Sequence, residues 1–274
     1  MLPETEYDDS SISLVDPLDL RASPRVAADL AASLYSTDMA GPIPCRVRDL
    51  SVTGACIATA SPFALKSVQR VVVSLPRGSL ILEAQGTWQR DAQADDVILS
   101  GLKFCDPPKE ALDQLWELVF SIGQKLARFL IERTQLHELG VEEGLGLAQT
   151  SRFRDIPAGR TIYRQDTALA GEESIFVLIE GAVALQARVR DAFDVETHRL
   201  KPGDMFGGLP LIGGGPHAET AIAVENSRLL KIDRQAYRFM RQTRPWLGYR
   251  VGQALLRTYA VRLRELSVRL QREL

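Results

Sequence analysis

"RASPR" at residues 21–25 and "DLSVTG" at residues 49–54 are the stretches on which the reading of this 274-residue chain turns. Arginine presents a planar fork of donors that grips a phosphate bidentately and lies flat on an aromatic ring. Arg21 and Arg25, four apart, therefore suit a phosphate-bearing purine. Asp49 and Ser51 have side chains that hydrogen-bond turns and base edges, and Gly54 permits backbone angles that let a ligand come close. Taken alone, DLSVTG is a strand-connecting turn and the arginine pair a solvated charged face. Order and context decide between these readings.

Working outward, "CRVRDL", "GACIATA", "RVVVSLP", "ILEAQGTWQR" and "VILSGLKF" follow one another between Val26 and Phe104, separated by turn residues. Short β-type runs of this kind predict an antiparallel β domain, a small barrel. Residues 1–18 are acidic and polar without sustained periodicity, which reads as a flexible tail. Behind the prolines of "DPPKEALDQLWELVF", Leu112, Leu115, Val119, Ile122, Leu126 and Phe129 recur at spacings of three and four. That spacing predicts one long helix whose heptad rhythm suits a cover for the barrel or a helical partner. The glycines of "GVEEGLGLAQT" at 140–150 read as a helical break. Strand-like runs then return from about Phe153, and the chain closes as helix interrupted at Pro245. In that last helix Leu256, Tyr259, Leu263, Leu266 and Leu270 form a stripe suited either to its own domain or to a homodimer. The fold class expected is mainly β with long helices (α+β). Its parts are a tail (1–18), a barrel domain (19–108), a connecting helix (109–138), a second β domain (139–240) and a C-terminal helix (241–274).

Arg21 and Arg25, then Asp49, Ser51 and Gly54, then a barrel ending in "GLKF", strongly resemble a PilZ domain over residues 20–118. The resemblance implies a β-barrel that binds the bacterial second messenger cyclic di-GMP. Arg21 and Arg25 would grip its phosphates and stack on guanine from a mobile N-terminal segment, and the turn of Asp49, Ser51 and Gly54 would support the base. Leu20 stands where many members carry a further arginine, which leans towards one bound molecule.

From 139 to 265, "FRDIPAGRTIYRQDTALAGEESIFVLIEGAVAL" and "LKPGDMFGGLPLIGGGP" resemble the cyclic-nucleotide-binding domain of catabolite activators and of the protein kinase A regulatory subunit. Gly159, Gly181, Pro202, Gly203 and Asp204 fall at the turns such a β-roll needs, and Phe206 with Gly207 opens its phosphate-binding cassette. The family holds the ribose with a glutamate and the cyclic phosphate with an arginine. Here Gly208 and His217 stand in those places, and the cassette of Phe206, Gly207, Gly208, His217 and Thr220 reads as degenerate. A neutral imidazole makes no guanidinium fork, and deleting one partner of a buried charge pair costs about 2–5 kcal/mol, so tight cyclic AMP binding is not expected.

Composition supports a soluble globular chain: 45% hydrophobic, 25% charged, net charge −2. No bulk positive charge, signal peptide or long apolar run suggests nucleic-acid wrapping, export or a membrane span, and the expected location is the cytoplasm. Cys45, Cys56 and Cys105 read as buried thiols and Trp88, Trp116 and Trp246 as core or interface residues. His137 and His198 have no metal-ligand spacing; neither a phosphate loop nor a nucleophile elbow is present. The chain reads as a non-enzyme without cofactor or metal. It ends at Leu274 without a DNA-reading domain, and the arginine-rich last helix reads as a solvated face. The expected function is that of a bacterial cyclic di-GMP receptor and signal-transduction effector, relaying occupancy to a protein partner through the degenerate second domain. The alternatives are an interaction scaffold independent of nucleotide and a dual sensor of cyclic di-GMP and cyclic AMP.

Overall fold

The computed structural model describes residues 25–92, 97–167, 173–189 and 193–273. Arg21 and the tail read at 1–18 lie outside the described residues. Six antiparallel strands close into a barrel: β1 (Val26–Ser36), β2 (Ile43–Leu50), β3 (Gly54–Thr59), β4 (Val68–Leu75), β5 (Gly78–Ala92) and β6 (Val97–Phe104). Their order around the barrel is β1-β2-β3-β6-β5-β4. Period-two alternation decides which side chains fill it. On β2, Ile43, Cys45 and Val47 point inwards and are buried, while Arg46 and Arg48 point outwards. A bulge between Ala27 and Leu30 re-aims β1, so that Ala28 packs in the barrel core and Ala27 in the core of the second domain.

Helix α1 (Lys109–Arg133) serves both cores. Leu115 and Val119 are buried in the barrel cluster, Leu126 and Leu130 in the next. Each such leucine contributes about 1.5–3 kcal/mol by burial, so the helix is held at both ends rather than strung between domains. The break expected at 140–150 falls earlier, at 134–140; residues Val141–Thr150 form helix α2. Its glycines are there for contact. A Cβ on Gly144 would meet Ala127 and Ile131 of α1 at 3.1 Å, and one on Gly146 would fall 1.9 Å from Arg244 Nη1. Close helix packing has overridden the weak helix propensity of glycine.

The second domain is a roll of two four-stranded sheets. Its strands are β7 (Arg152–Ile156), β8 (Thr161–Tyr163), β9 (Ser174–Glu180), β10 (Val183–Val189), β11 (Phe193–Leu200), β12 (Met205–Phe206), β13 (Thr220–Ala223) and β14 (Ser227–Asp233), with a short α3 (Leu209–Ile212) after β12. One sheet runs β11-β10-β13-β8 and the other β12-β9-β14-β7. Gly181 and Gly203 turn the chain at φ +87° and +100°, where other residues are strained. Helices α4 (Arg234–Thr243) and α5 (Pro245–Glu273) close the chain; Asp233 caps α4 by accepting the Ala236 N–H at 2.8 Å.

Of the stripe expected on α5, Tyr259 packs against the second-domain core, but most of the packing face lies beside the stripe. Val251, Ala254, Leu255, Thr258 and Arg262 are buried, whereas Leu256 and Leu263 are more than half exposed. The small residue Gly252, whose Cβ would lie 3.1 Å from Tyr237 Oη, lets that other face approach the domain. Arg262 is accordingly not part of a solvated face: it donates to the Met205 carbonyl at 2.6 Å. Trp116 and Trp246 are exposed too, against expectation; Trp246 stacks on Tyr249 at 5.4 Å and carries the Arg250 guanidinium over its ring, an arrangement that needs no core.

The two domains meet where β7 lies against β1 and β2. Asp155 of β7 accepts from Arg48 of β2 at 2.5 Å and from Arg228 of β14 at 2.8 Å. Arg228 also pairs with Asp29 of β1, which Arg46 holds at 2.5 Å. Burial raises the pKa of both aspartates, but the arginines outweigh it and leave them below the usual carboxylate range.

Candidate functional site: an arginine-lined cleft and an altered cassette

Arg25 stands immediately before β1 and Asp49 near the end of β2, and register puts Ala27 opposite Asp49. The Arg25 guanidinium donates to Asp49 Oδ1 at 2.7 Å, which joins the two halves of the motif across 24 residues. Ser51 is fully buried beneath them. Its N–H and hydroxyl both donate to the Gly54 carbonyl, at 2.9 and 3.0 Å, and its oxygen accepts from the Thr53 N–H. It therefore builds the β2–β3 turn. Gly54 is needed for a different reason from the one its sequence suggested: it has no positive φ, but a Cβ there would lie 2.2 Å from the Leu102 carbonyl oxygen of β6. Arg25 and Asp49 thus line the adjacent cleft, while Ser51 and Gly54 hold the turn that presents Asp49.

The cleft, about 110 Å³, lies between the outer barrel wall and β7. Trp88 forms part of its wall and is 40% exposed rather than in a core. A register shift after Gly86 sets it opposite Gly101, and a Cβ on Gly101 would sit 2.1 Å from its Nε1. The bare glycine lets the indole lie against the barrel wall. The Arg90 guanidinium stands 5.4 Å over the ring. Arg48, Arg152 and Arg154 complete the charge: five arginines face two aspartates, Asp49 and Asp155, a formal excess of 5 − 2 = +3. Among the described residues Arg90, Arg152 and Arg154 form no ion pair. A surplus of unpaired guanidinium beside an aromatic face favours an anionic, ring-bearing ligand.

A second cleft of about 530 Å³ shares Arg48, Val97 and Asp155 with the first and continues along Pro157, Asn226 and Arg228. The Arg48–Asp155 pair stands between them. Cys56 also borders the smaller cleft, but burial and the nearby Asp49 carboxylate push its thiol up to about 12, and burial does the same to Cys45. Neither offers a thiolate at neutral pH. Among the described residues no cluster of His, Cys, Asp or Glu is arranged to hold a metal, and no helix is long and apolar enough to cross a membrane.

Sequence reasoning missed Arg48, Trp88, Arg90, Arg152 and Arg154. The signal available was R-x-R in a strand: Arg46 with Arg48, and Arg152 with Arg154, share a strand face by period two. Nothing local said that those faces would meet.

In the second domain, Phe206, Gly207, Gly208 and His217 of the cassette are closely packed. Phe206 is fully buried and stacks on Phe176 at 5.3 Å. Gly207 has φ +89° and would drive a Cβ to 2.7 Å from Phe176 and the Ser174 carbonyl. Gly208 is wedged: a Cβ there would lie 2.5 Å from both Ile175 Cγ1 and Leu255 Cδ2, so no glutamate fits without moving the core. His217 is buried and stacks on Tyr163 with centroids 3.9 Å apart. Burial holds its pKa below the usual value, only partly offset by the Glu173 charge, so the ring is neutral. Thr220 Oγ1 is taken by the Gln165 N–H at 3.0 Å. From α5, Tyr259 packs against the core of this domain, and burial raises the pKa of its hydroxyl, partly offset by the Arg262 charge and by the backbone of Leu209 and Gly207. His198 is buried against Glu265 at 3.6 Å and makes no hydrogen bond among the described residues.

The closed barrel and the roll that follows it each match a known family of domains. The PilZ domain family matches residues 19–121, and the cyclic nucleotide-binding domain family matches residues 153–244. The chain joins one domain of each family. It is 30% identical over 129 residues to a CRP-like cAMP-activated global transcriptional regulator of Mycobacterium tuberculosis, covering 46% of this chain and 54% of that protein. The chain thus spans about half the length of the curated relatives it matches. Solved structures similar to it include a cyclic nucleotide-binding domain from Methylobacillus flagellatus (16% identity, 56% of this chain and 84% of that one, TM-score 0.49). Another is the catabolite activator protein of Thermus thermophilus (27% identity, 50% and 61%, TM-score 0.42).

Proposed function

We propose that this protein is a receptor for cyclic di-GMP, bound in the arginine-lined cleft, and that its second domain relays occupancy without taking cyclic AMP. The observation that carries the reading is the Arg25–Asp49 pair at the rim of a cleft with surplus positive charge and an exposed indole. A cyclic dinucleotide offers two phosphodiester charges to the guanidinium groups and two purines to Trp88 and the arginine planes. Ligand clefts usually enclose about 300–1,000 Å³, so occupancy requires the smaller cleft to widen towards its neighbour past Arg48 and Asp155. Arg21, which precedes the described residues, is assigned the second phosphate.

The cAMP-activated name of the Mycobacterium relative favours a second reading, a sensor of both nucleotides. The wedged Gly208 and the neutral, stacked His217 weigh against it. Calorimetric titration of the full chain with cyclic di-GMP and with cyclic AMP tests both, with Arg25→Ala in parallel. The reading expects heat with cyclic di-GMP, its loss in Arg25→Ala, and none with cyclic AMP. Absence of heat with cyclic di-GMP leaves a scaffold independent of nucleotide.

A further inference from the structure

We infer that the second domain completes the dinucleotide site: Arg152 and Arg154 of β7 grip the ligand from the side opposite Arg25 and Trp88, so that a bound dinucleotide is itself a bond between the two domains. The inference rests on the reading of the cleft as a cyclic di-GMP site. It comes from how the arginines there are already used. Arg25 is held by Asp49, and Arg48 by Asp155 and, at 3.9 Å, by Asp29. Arg228 is shared between Asp155 and Asp29 and belongs to the domain contact. Arg152 and Arg154 line the same cleft with no carboxylate partner among the described residues, although they lie on a strand that packs directly on the barrel. Arg152 is close enough for its charge, with those of Arg25 and Arg90, to act on the Cys56 thiol in the barrel wall. Cations of two domains therefore converge on one site and repel one another until an anion stands between them. A dianion converts that repulsion into attraction on both sides at once.

Two consequences separate this from a site confined to the barrel. Arg152→Ala/Arg154→Ala in the full chain should weaken cyclic di-GMP binding at least tenfold by calorimetry, while Lys125→Ala/Arg128→Ala, an equal loss of charge on the exposed side of α1, leaves it unchanged. In the natural chain, saturating cyclic di-GMP should slow amide hydrogen exchange across Arg152–Ile156 as well as in β1 and β2. The exchange measurement needs no variant and so stands whether or not the double variant folds well; circular dichroism of the variant checks the latter. Binding unchanged in the double variant while Arg25→Ala abolishes it, or β7 exchange indifferent to ligand that protects β1 and β2, overturns the inference and leaves the receptor reading intact. A natural chain that binds no cyclic di-GMP overturns both.

Discussion

Replacing Asp155 by asparagine should lower stability and raise affinity for the dinucleotide at the same time. The carboxylate answers Arg48 at 2.5 Å and Arg228 at 2.8 Å, and asparagine keeps the shape and one acceptor while removing the charge. An exposed ion pair is worth up to about 1 kcal/mol. Deleting one partner of a fully buried pair costs about 3–5 kcal/mol. Asp155 is 36% exposed at its side chain, with Arg48 at 18% and Arg228 at 25%, so solvent screens the interaction and the lower range applies. For one carboxylate shared by two guanidinium groups a loss of about 1–2 kcal/mol is expected, or about 3–6 °C in Tm at neutral pH. Its pKa is depressed in the folded protein, so the stabilisation is present above the unfolded carboxylate value of about 4 and is lost as pH falls through the lower folded value. The Tm difference between the two proteins should therefore shrink below about pH 4 and vanish in stronger acid. The same change takes one of two negative charges out of the cleft and frees Arg48 from the pair that divides it, so cyclic di-GMP should bind several-fold more tightly. Differential scanning calorimetry across pH, with isothermal titration on the same samples, reads both quantities. An unchanged Tm at pH 7, or a difference that does not shrink as the pH falls from about 4 into stronger acid, would refute the view of Asp155 as the charge that holds the domains together.

Three other outcomes are expected. Gly208→Glu with His217→Arg restores the family's residue types but should give no cyclic AMP binding and cost about 2–3 kcal/mol, because the new side chain must displace Ile175 and Leu255; tight cyclic AMP binding with unchanged Tm would show the cassette to be open. Trp88→Ala should weaken cyclic di-GMP binding about tenfold with little change in Tm, since the indole is partly exposed and base stacking is worth about 1–3 kcal/mol; a large stability loss with full affinity would return Trp88 to a packing role. Leu115→Ala and Leu130→Ala, at opposite ends of α1, should each cost about 2–5 kcal/mol in denaturant unfolding, and a negligible effect at either end would mean that the helix belongs to one domain alone.

Local pattern alone determined a good deal about this protein. Period-two runs between turn residues were enough for the barrel, steps of three and four for α1, and the order of Arg25, Asp49, Ser51 and Gly54 for the kind of domain they sit in. The glycine and histidine at 208 and 217 already marked the second cassette as altered. These features were legible because each is set by residues close in sequence, where side-chain period and backbone freedom act directly. The helix at 141–150 was not, because its glycines answer to Ala127 and Arg244 rather than to their own neighbours. Nor was the packing face of α5, chosen by Tyr237 and Gly208 over the more leucine-rich stripe. The cleft itself belongs wholly to the tertiary structure. Trp88 reaches the surface because Gly101 lies opposite it in another strand, and Arg152 and Arg154 face Arg25 only because β7 packs against β1 and β2. Charge and close contact act through space, and the distances that matter there are created only when the two domains fold against one another.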